Sequence, residues 1–391
     1  MPGHGTGVAH SNNQQTAETN NAGNDCIAQS TPGRDTMKTI TKVAAFLSVA
    51  LFHSACGTAE PSDVDQNVST QNGGSGERNR KPTAADIQDT LELGGTPYAI
   101  VISTPGQRGF YSLAGTRGQN LGIGITQVSG LAGRLSLLGP DGSVLASVDI
   151  AAADGQLDPM PLPSDGQYTV VLDAGNTTGT ARLWGSEDTE SSIVIDGAQV
   201  VATASRPGQN HRLHFRGAPG QYLGIGAAQV DGAFGRISVM DPDNAVMTSA
   251  FFTNTGGQVD PGALPVAGDY TIKVDPGTST GSVALYLSSD QQGVLTNGGS
   301  VSPVIERPGQ NCRYTFAATQ GQMLDILASP VHGLFANLNL LMPDGTVLTS
   351  APIKADDRHL FVPALPASGT YAIQIDAGYS SGDLTLRLTL N

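Results

Sequence analysis

Apolar and polar residues alternate along Tyr270-Thr271-Ile272-Lys273-Val274-Asp275, placing Tyr270, Ile272 and Val274 on one side of an extended strand and the other three on the opposite side. The same pattern, led by Leu-Pro and a glycine, recurs from Tyr168 to Asp173 and from Tyr371 to Asp376, about one hundred residues apart each time. Three half-buried strands in equivalent settings mean three copies of one larger unit. A unit of roughly 95 residues can enclose its own core, unlike a solenoid repeat of ~20–50 residues, so whole-domain repeats are expected.

The repeats are placed at 84–189, 190–290 and 291–391. Each carries a Pro-Gly-Gln turn (Pro105, Pro207, Pro308) and then a strand holding Tyr111, Leu213 or Phe316. A second strand follows Gly-Gln, with Leu121, Ile123 and Ile125, Leu223 and Ile225, or Leu324 and Ile326 as its inward set. Pro140-Asp141-Gly142, Pro242-Asp243-Asn244 and Pro343-Asp344-Gly345 are hairpin turns: proline presets φ, and glycine or asparagine tolerates the left-handed position. The expected fold is all-β, with three tandem antiparallel β-sandwich, jelly-roll-like domains.

Ahead of the repeats the pattern changes. Residues 1–36 are polar without apolar periodicity and are expected to be disordered. Residues 37–55 read as an export signal, with Lys38 and Lys42 before an apolar run from Val43 to Phe52 and small residues after it; translation is expected to start at Met37. Ser54-Ala55-Cys56-Gly57 resembles the lipobox of bacterial lipoproteins, which implies acylation of Cys56, although His53 stands where that family usually has leucine. The plainer alternative is simple secretion, with cleavage after Ala59. Residues 56–83 form a flexible tether rich in Ser, Asn, Gln and Gly.

Composition narrows the function. Gly 50 and Pro 23 in 391 residues suit many short strands and tight turns, and a net charge of −14 repels a phosphate backbone, so nucleic acid is excluded as a partner. No Gly-x-Ser-x-Gly elbow, His-Glu-x-x-His pair or phosphate-cradling loop is present, and no catalytic residue is assigned.

The motif order is a Gly-Gln strand, a Pro-Asp-Gly turn, Leu-Pro, Gly-x-Tyr, a strand ending in Asp, and Thr-Gly or Ser-Gly before a last strand. It resembles the bacterial pre-peptidase C-terminal (PPC) domain over residues 87–391. The resemblance implies a β-sandwich of the kind appended to secreted enzymes; a catalytic domain, which that family usually trails, is missing.

Candidate sites are few. Asp154, Asp158 and Asp260 are calcium candidates, weighed against the ordinary preference of aspartate for turns and strand ends, and no other cofactor is implied. Trp184 and Tyr286 fall on the polar phase of the last strand and are candidate exposed ligand contacts, suited to stacking on a sugar. His211 and His214, three apart on a strand, point to opposite faces and read as surface histidines. Cys312 reads as a small buried side chain. The tyrosines Tyr168, Tyr270 and Tyr371 read as packing residues.

The functional expectation is a non-catalytic, exported envelope protein, anchored through Cys56 at the outer membrane or cell surface or else secreted. It would display binding modules for an extracellular protein or polysaccharide. The alternatives are a structural stalk or an accessory subunit of a secreted hydrolase.

Overall fold

The computed structural model describes residues 81–82, 85–151 and 153–391. The export signal, Cys56 and nearly all of the tether lie outside the described residues. Strands account for 61 % of the described residues and none of these is helical, so the described part of the protein is all-β.

In the first repeat one sheet runs, in spatial order, Ile87–Thr90, Arg108–Gly115, Gly166–Asp173, Ala132–Leu138 and Val144–Ala151. A second sheet runs Tyr98–Ile102, Gly179–Glu187, Leu121–Ser129 and Gly155–Leu157. The later repeats have the same plan, except that in the third the edge strand is split into Ser300–Val301 and Val304–Ile305, both paired with Gly382–Leu390. Pairing is antiparallel except at one edge, where Ile87–Thr90, Thr189–Ser192 and Gln291–Val294 each run parallel to a neighbour.

Alternation along the strands places the core as the sequence reads. Leu121, Ile123, Ile125, Leu223, Ile225, Leu324 and Ile326 are buried, each set in an apolar cluster with the other buried residues of its repeat. Tyr168, Tyr270 and Tyr371 are fully buried at the centre of these clusters. Each hydroxyl donates to a backbone carbonyl four residues upstream: Ser164 at 2.6 Å, Val266 at 2.8 Å and Ala367 at 2.8 Å. A buried phenol thus keeps its polar tip satisfied, tying the Leu-Pro turn to the strand that follows it. Asn244 holds φ 62° at the turn position where the other repeats have glycine.

The expectation of three tandem β-sandwich domains is corrected. The sheets stack as a β-solenoid of about ten turns, and the repeats do not stand apart as three jelly-roll-like units. All described residues fall in one compact unit. The reason lies on the outward faces of the smaller sheets. Gly122 and Gly124 lie directly against the backbone of Pro207 and Gly208, and Gly224 and Gly226 against Pro308 and Gly309. Without side chains at these four places, one repeat's sheet meets the next repeat's turn backbone to backbone, and the stack continues across the repeat boundary.

Candidate functional site: two junctions and a terminal face

Each junction is a plug in a socket. The plug reads Arg206-Pro207-Gly208-Gln209-Asn210 in the second repeat and Arg307-Pro308-Gly309-Gln310-Asn311 in the third. The socket is the Gly-x-Gly of the preceding repeat, whose cross-strand neighbours include Trp184 opposite Gly124 and Tyr286 opposite Gly226. Ser186 and Ser288, opposite Gly122 and Gly224, are completely buried although they lie on an outward face, because the plug covers them. The plug arginines reach back to the preceding repeat. Arg206 Nη1 donates to the Gly94 carbonyl and Arg307 Nη1 to that of Gly197, both at 2.6 Å.

The first junction has a buried charged centre. Asp158 accepts from Asn210 Nδ2 at 3.1 Å and, through its other oxygen, from Lys273 Nζ at 2.8 Å. The same ammonium reaches Asp275 at 3.3 Å, and Gln156 Nε2 donates to Asp275 at 2.7 Å. Beside them Asp188 takes Arg212 Nε at 2.8 Å. Burial and the Asp275 charge push the Asp158 carboxyl up, with Lys273 opposing. Burial works against Asp275 too, yet Lys273 and the bonds from Gln156 and Gly277 hold it below the usual carboxylate range. Lys273 is itself raised: burial opposes its charge, but the two carboxylates outweigh that. These ionic groups are hydrogen-bonded from both repeats, as groups withdrawn from water must be.

In the second junction Asp260 accepts from Asn311 Nδ2 at 2.9 Å, and Asp376 accepts from Gln258 Nε2 at 2.7 Å. Gln374 occupies the register position of Lys273: Lys273 pairs with Arg212 across the sheet, and Gln374 with Arg313. Asp290 takes the place of Asp188, but one of its buried oxygens accepts no hydrogen bond.

The third repeat has no socket. Asp325 and Leu327 replace the two glycines, His359 and Phe361 replace the Gln-x-Asp of Gln156 and Asp158, and Arg387 lies opposite Leu327 where Trp184 and Tyr286 stand. Leu327 is 40 % and Phe361 50 % exposed. The His359 imidazole pairs with Asp325 and stacks beside Phe361, with ring centroids 6.4 Å apart. This outward face presents an apolar, aromatic and polar mixture where the first two repeats have Gly-x-Gly.

The sequence candidates fall apart spatially. Asp158 and Asp260 belong to different junctions, and exposed Asp154 accepts only a long bond, 3.3 Å, from the Val128 amide. The three do not converge, and no group of three or more metal-ligating side chains occurs among the described residues. Trp184 and Tyr286 are half-buried at sockets and so are not the exposed contacts expected: the Trp184 indole donates to Thr126 at 2.9 Å and has the Arg206 guanidinium 5.5 Å from its ring centroid. His211 is half-buried between Thr189 and Ser191, while His214 faces Thr271 and Glu190. Cys312 is a buried free thiol, pushed up to about 12 by burial and then by the Asp290 charge.

The junctions leave two signals in the sequence that alternation alone does not reveal. Gly-x-Gly occupies the outward phase only in repeats one and two, and arginine and asparagine flank Pro-Gly-Gln only in repeats two and three. Sockets and plugs are therefore complementary along the chain.

The chain matches no protein-family model and no curated protein. Among solved structures, PliG of Aeromonas hydrophila, a periplasmic inhibitor of g-type lysozyme, aligns at 17 % identity over 26 % of this chain and 99 % of its own, with a TM-score of 0.21. The CUB1-EGF-CUB2 domains of human MASP-1/3 align at 9 % identity over 49 % of this chain and 98 % of theirs, with a TM-score of 0.18. Those of rat MASP-1 align at 10 % identity over 51 % and 99 %, with a TM-score of 0.17. Likenesses at such TM-scores carry no argument about this chain.

Proposed function

We propose that the protein is a non-catalytic, exported, lipid-anchored envelope component that displays its stacked repeats as a binding module for an extracellular protein or polysaccharide. The contact surface in this reading is the outward face of the third repeat. The observation that supports it is the replacement of Gly, Gly, Gln and Asp by Asp325, Leu327, His359 and Phe361 at the very positions that seal the other junctions. Exposed apolar and aromatic groups beside a polar His359–Asp325 pair make a surface of the kind that anchors partners. The motif order shared with pre-peptidase C-terminal modules is in keeping with a chain that acts outside the cell.

The test is retention of envelope and secreted material on the immobilised protein. Leu327→Asp with Phe361→Ala should weaken retention of a saturable partner about tenfold or more while leaving the melting temperature near that of the parent chain. Undiminished retention would remove the terminal face from the reading. The anchor is tested separately: Cys56→Ala should move the protein from the membrane to the soluble fraction, and an unchanged membrane fraction would rule out an acyl anchor.

A structural stalk is the alternative that a specific observation favours, since the buried, charge-lined junctions suit a body that transmits position. It predicts that no partner is retained at all.

A further inference from the structure

The two junctions differ at one decisive place. In the first, a single ammonium, that of Lys273, bridges Asp158 and Asp275. In the second, the equivalent carboxylates Asp260 and Asp376 have Gln374 in the lysine position, so no side-chain cation stands between them. We propose that the junction between the second and third repeats is a proton-operated joint, held closed when Asp260 carries a proton and loosened when it ionises beside the Asp376 carboxylate.

The groups around the pair can be named from every element that meets there. Gly257–Ala263 brings Gln258 and Asp260, and Gly369–Asp376 brings Gln374 and Asp376. The plug brings Asn311, whose amide nitrogen donates to Asp260 and whose amide oxygen accepts from the Ala377 backbone. Cys312–Ala318 brings Arg313 and the Cys312 thiol, and the segment ahead of it brings Asp290. Two arginines stand on these elements: Arg307 of the plug is bound to Asp196 and the Gly197 carbonyl, and the Arg313 guanidinium lies over the Tyr222 ring, 4.6 Å from the centroid. The first junction has their counterparts Arg206 and Arg212 and, in addition, the Lys273 ammonium that the second lacks.

Electrostatics support the geometry. Burial first, and then the Asp376 charge, push Asp260 up to about 7, despite the bond from Asn311. Burial also lifts Asp290 to about 6, with Arg313 opposing and Asp376 adding to the rise. The sign follows from linkage: an unfolded aspartate titrates near ~3.9, so between that value and about 7 the folded junction binds a proton that the open chain does not. Stability is therefore gained as pH falls through neutrality, fully present once pH is below the unfolded value, and lost as pH rises past the folded one. This is the reverse of a carboxylate held low by a partner, such as Asp275.

The test is hydrogen–deuterium exchange on the full chain at pH 5.5 and pH 8.5, corrected for intrinsic exchange rates and read at 309–311 and 376–380, with the buried strand residues 168–172 of the first repeat as internal reference, since Asp158 at the first junction is itself pushed up to about 7. In the parent protein, protection at the second junction should fall on the order of tenfold or more from the lower to the higher pH, relative to the reference. Asp260→Asn, a fixed mimic of the protonated acid, should abolish most of that difference. Gln374→Lys, supplying the ammonium found at the first junction, should also reduce it, and decides the matter if Asp260→Asn does not fold. An undiminished pH effect in the variants, or none in the parent chain, would overturn the joint.

Discussion

Gly224→Ala should uncouple the third repeat from the second. A Cβ at this position would lie 1.7 Å from the Gly309 carbonyl oxygen, and the corresponding contact at Gly122 would be 1.6 Å from that of Gly208. Both obstacles are backbone, so a rotamer change cannot relieve them. The third repeat must move away bodily, which would also break the Arg307 bonds to Gly197 and Asp196 and open the pocket around Asp260 to water. Overpacking a close contact costs about 1–3 kcal/mol, and losing these bonds besides puts the expected cost at about 3 kcal/mol or more. Calorimetry should then show the third repeat melting as a separate, earlier transition. Gly155→Ala is the control, since its Cβ would meet only side-chain carbons of Ile150 and Ile125 at 3.4 and 3.8 Å. A Gly224→Ala protein that melts like the parent would mean that the glycine contact does not hold the stack together.

Lys273→Met should be comparably damaging at the first junction. Its Nζ is the one ammonium shared by Asp158 and Asp275, whose side chains are 8 % and 18 % exposed. Removing one member of a buried ionic set leaves charge without compensation and typically costs about 3–5 kcal/mol. The environment of Asp158 adds a signature. Because burial already pushes its carboxyl up, loss of the opposing ammonium should leave it protonated below neutral pH. The Lys273→Met protein should thus recover part of its stability between pH 8 and pH 6, as read from the denaturant midpoint. Asp158→Asn combined with Lys273→Met should be less destabilised at pH 8 than Lys273→Met alone. A double variant as weak as the sum of the single substitutions would show that the two side chains act independently.

Both predictions concern places where one repeat meets another, and these were the least legible parts of the sequence. Asp158 and Lys273 are 115 residues apart and Gln258 and Asp376 are 118 apart. Nothing within a local window of sequence marks either pair as partners. As carboxylates, Asp158 and Asp260 are candidate oxygen donors for a cation, and the structure gives Asp158 the ammonium of Lys273. Its phase on the strand predicts Trp184 as an exposed ligand contact. The phase is correct, but the outward face of that sheet is itself covered by the next repeat.

What the sequence determined by itself was local: the strands, the hairpin turns around Asp141, Asp243 and Asp344, the inward rows such as Leu121, Ile123 and Ile125, and the buried tyrosines. These follow from alternation and turn chemistry, which act over a few residues. Only the tertiary structure decided how the repeats relate, as a stack of sheets and not as separate sandwiches, and what the outward faces are for. Alternation distinguishes the two sides of a strand but cannot say that a side with no side chain is a seat for another backbone. Gly122 and Gly224 carry that information only when Gly208 and Gly309 are seen against them, whereas Asp325 and Leu327 give the third repeat side chains where the other two offer bare backbone.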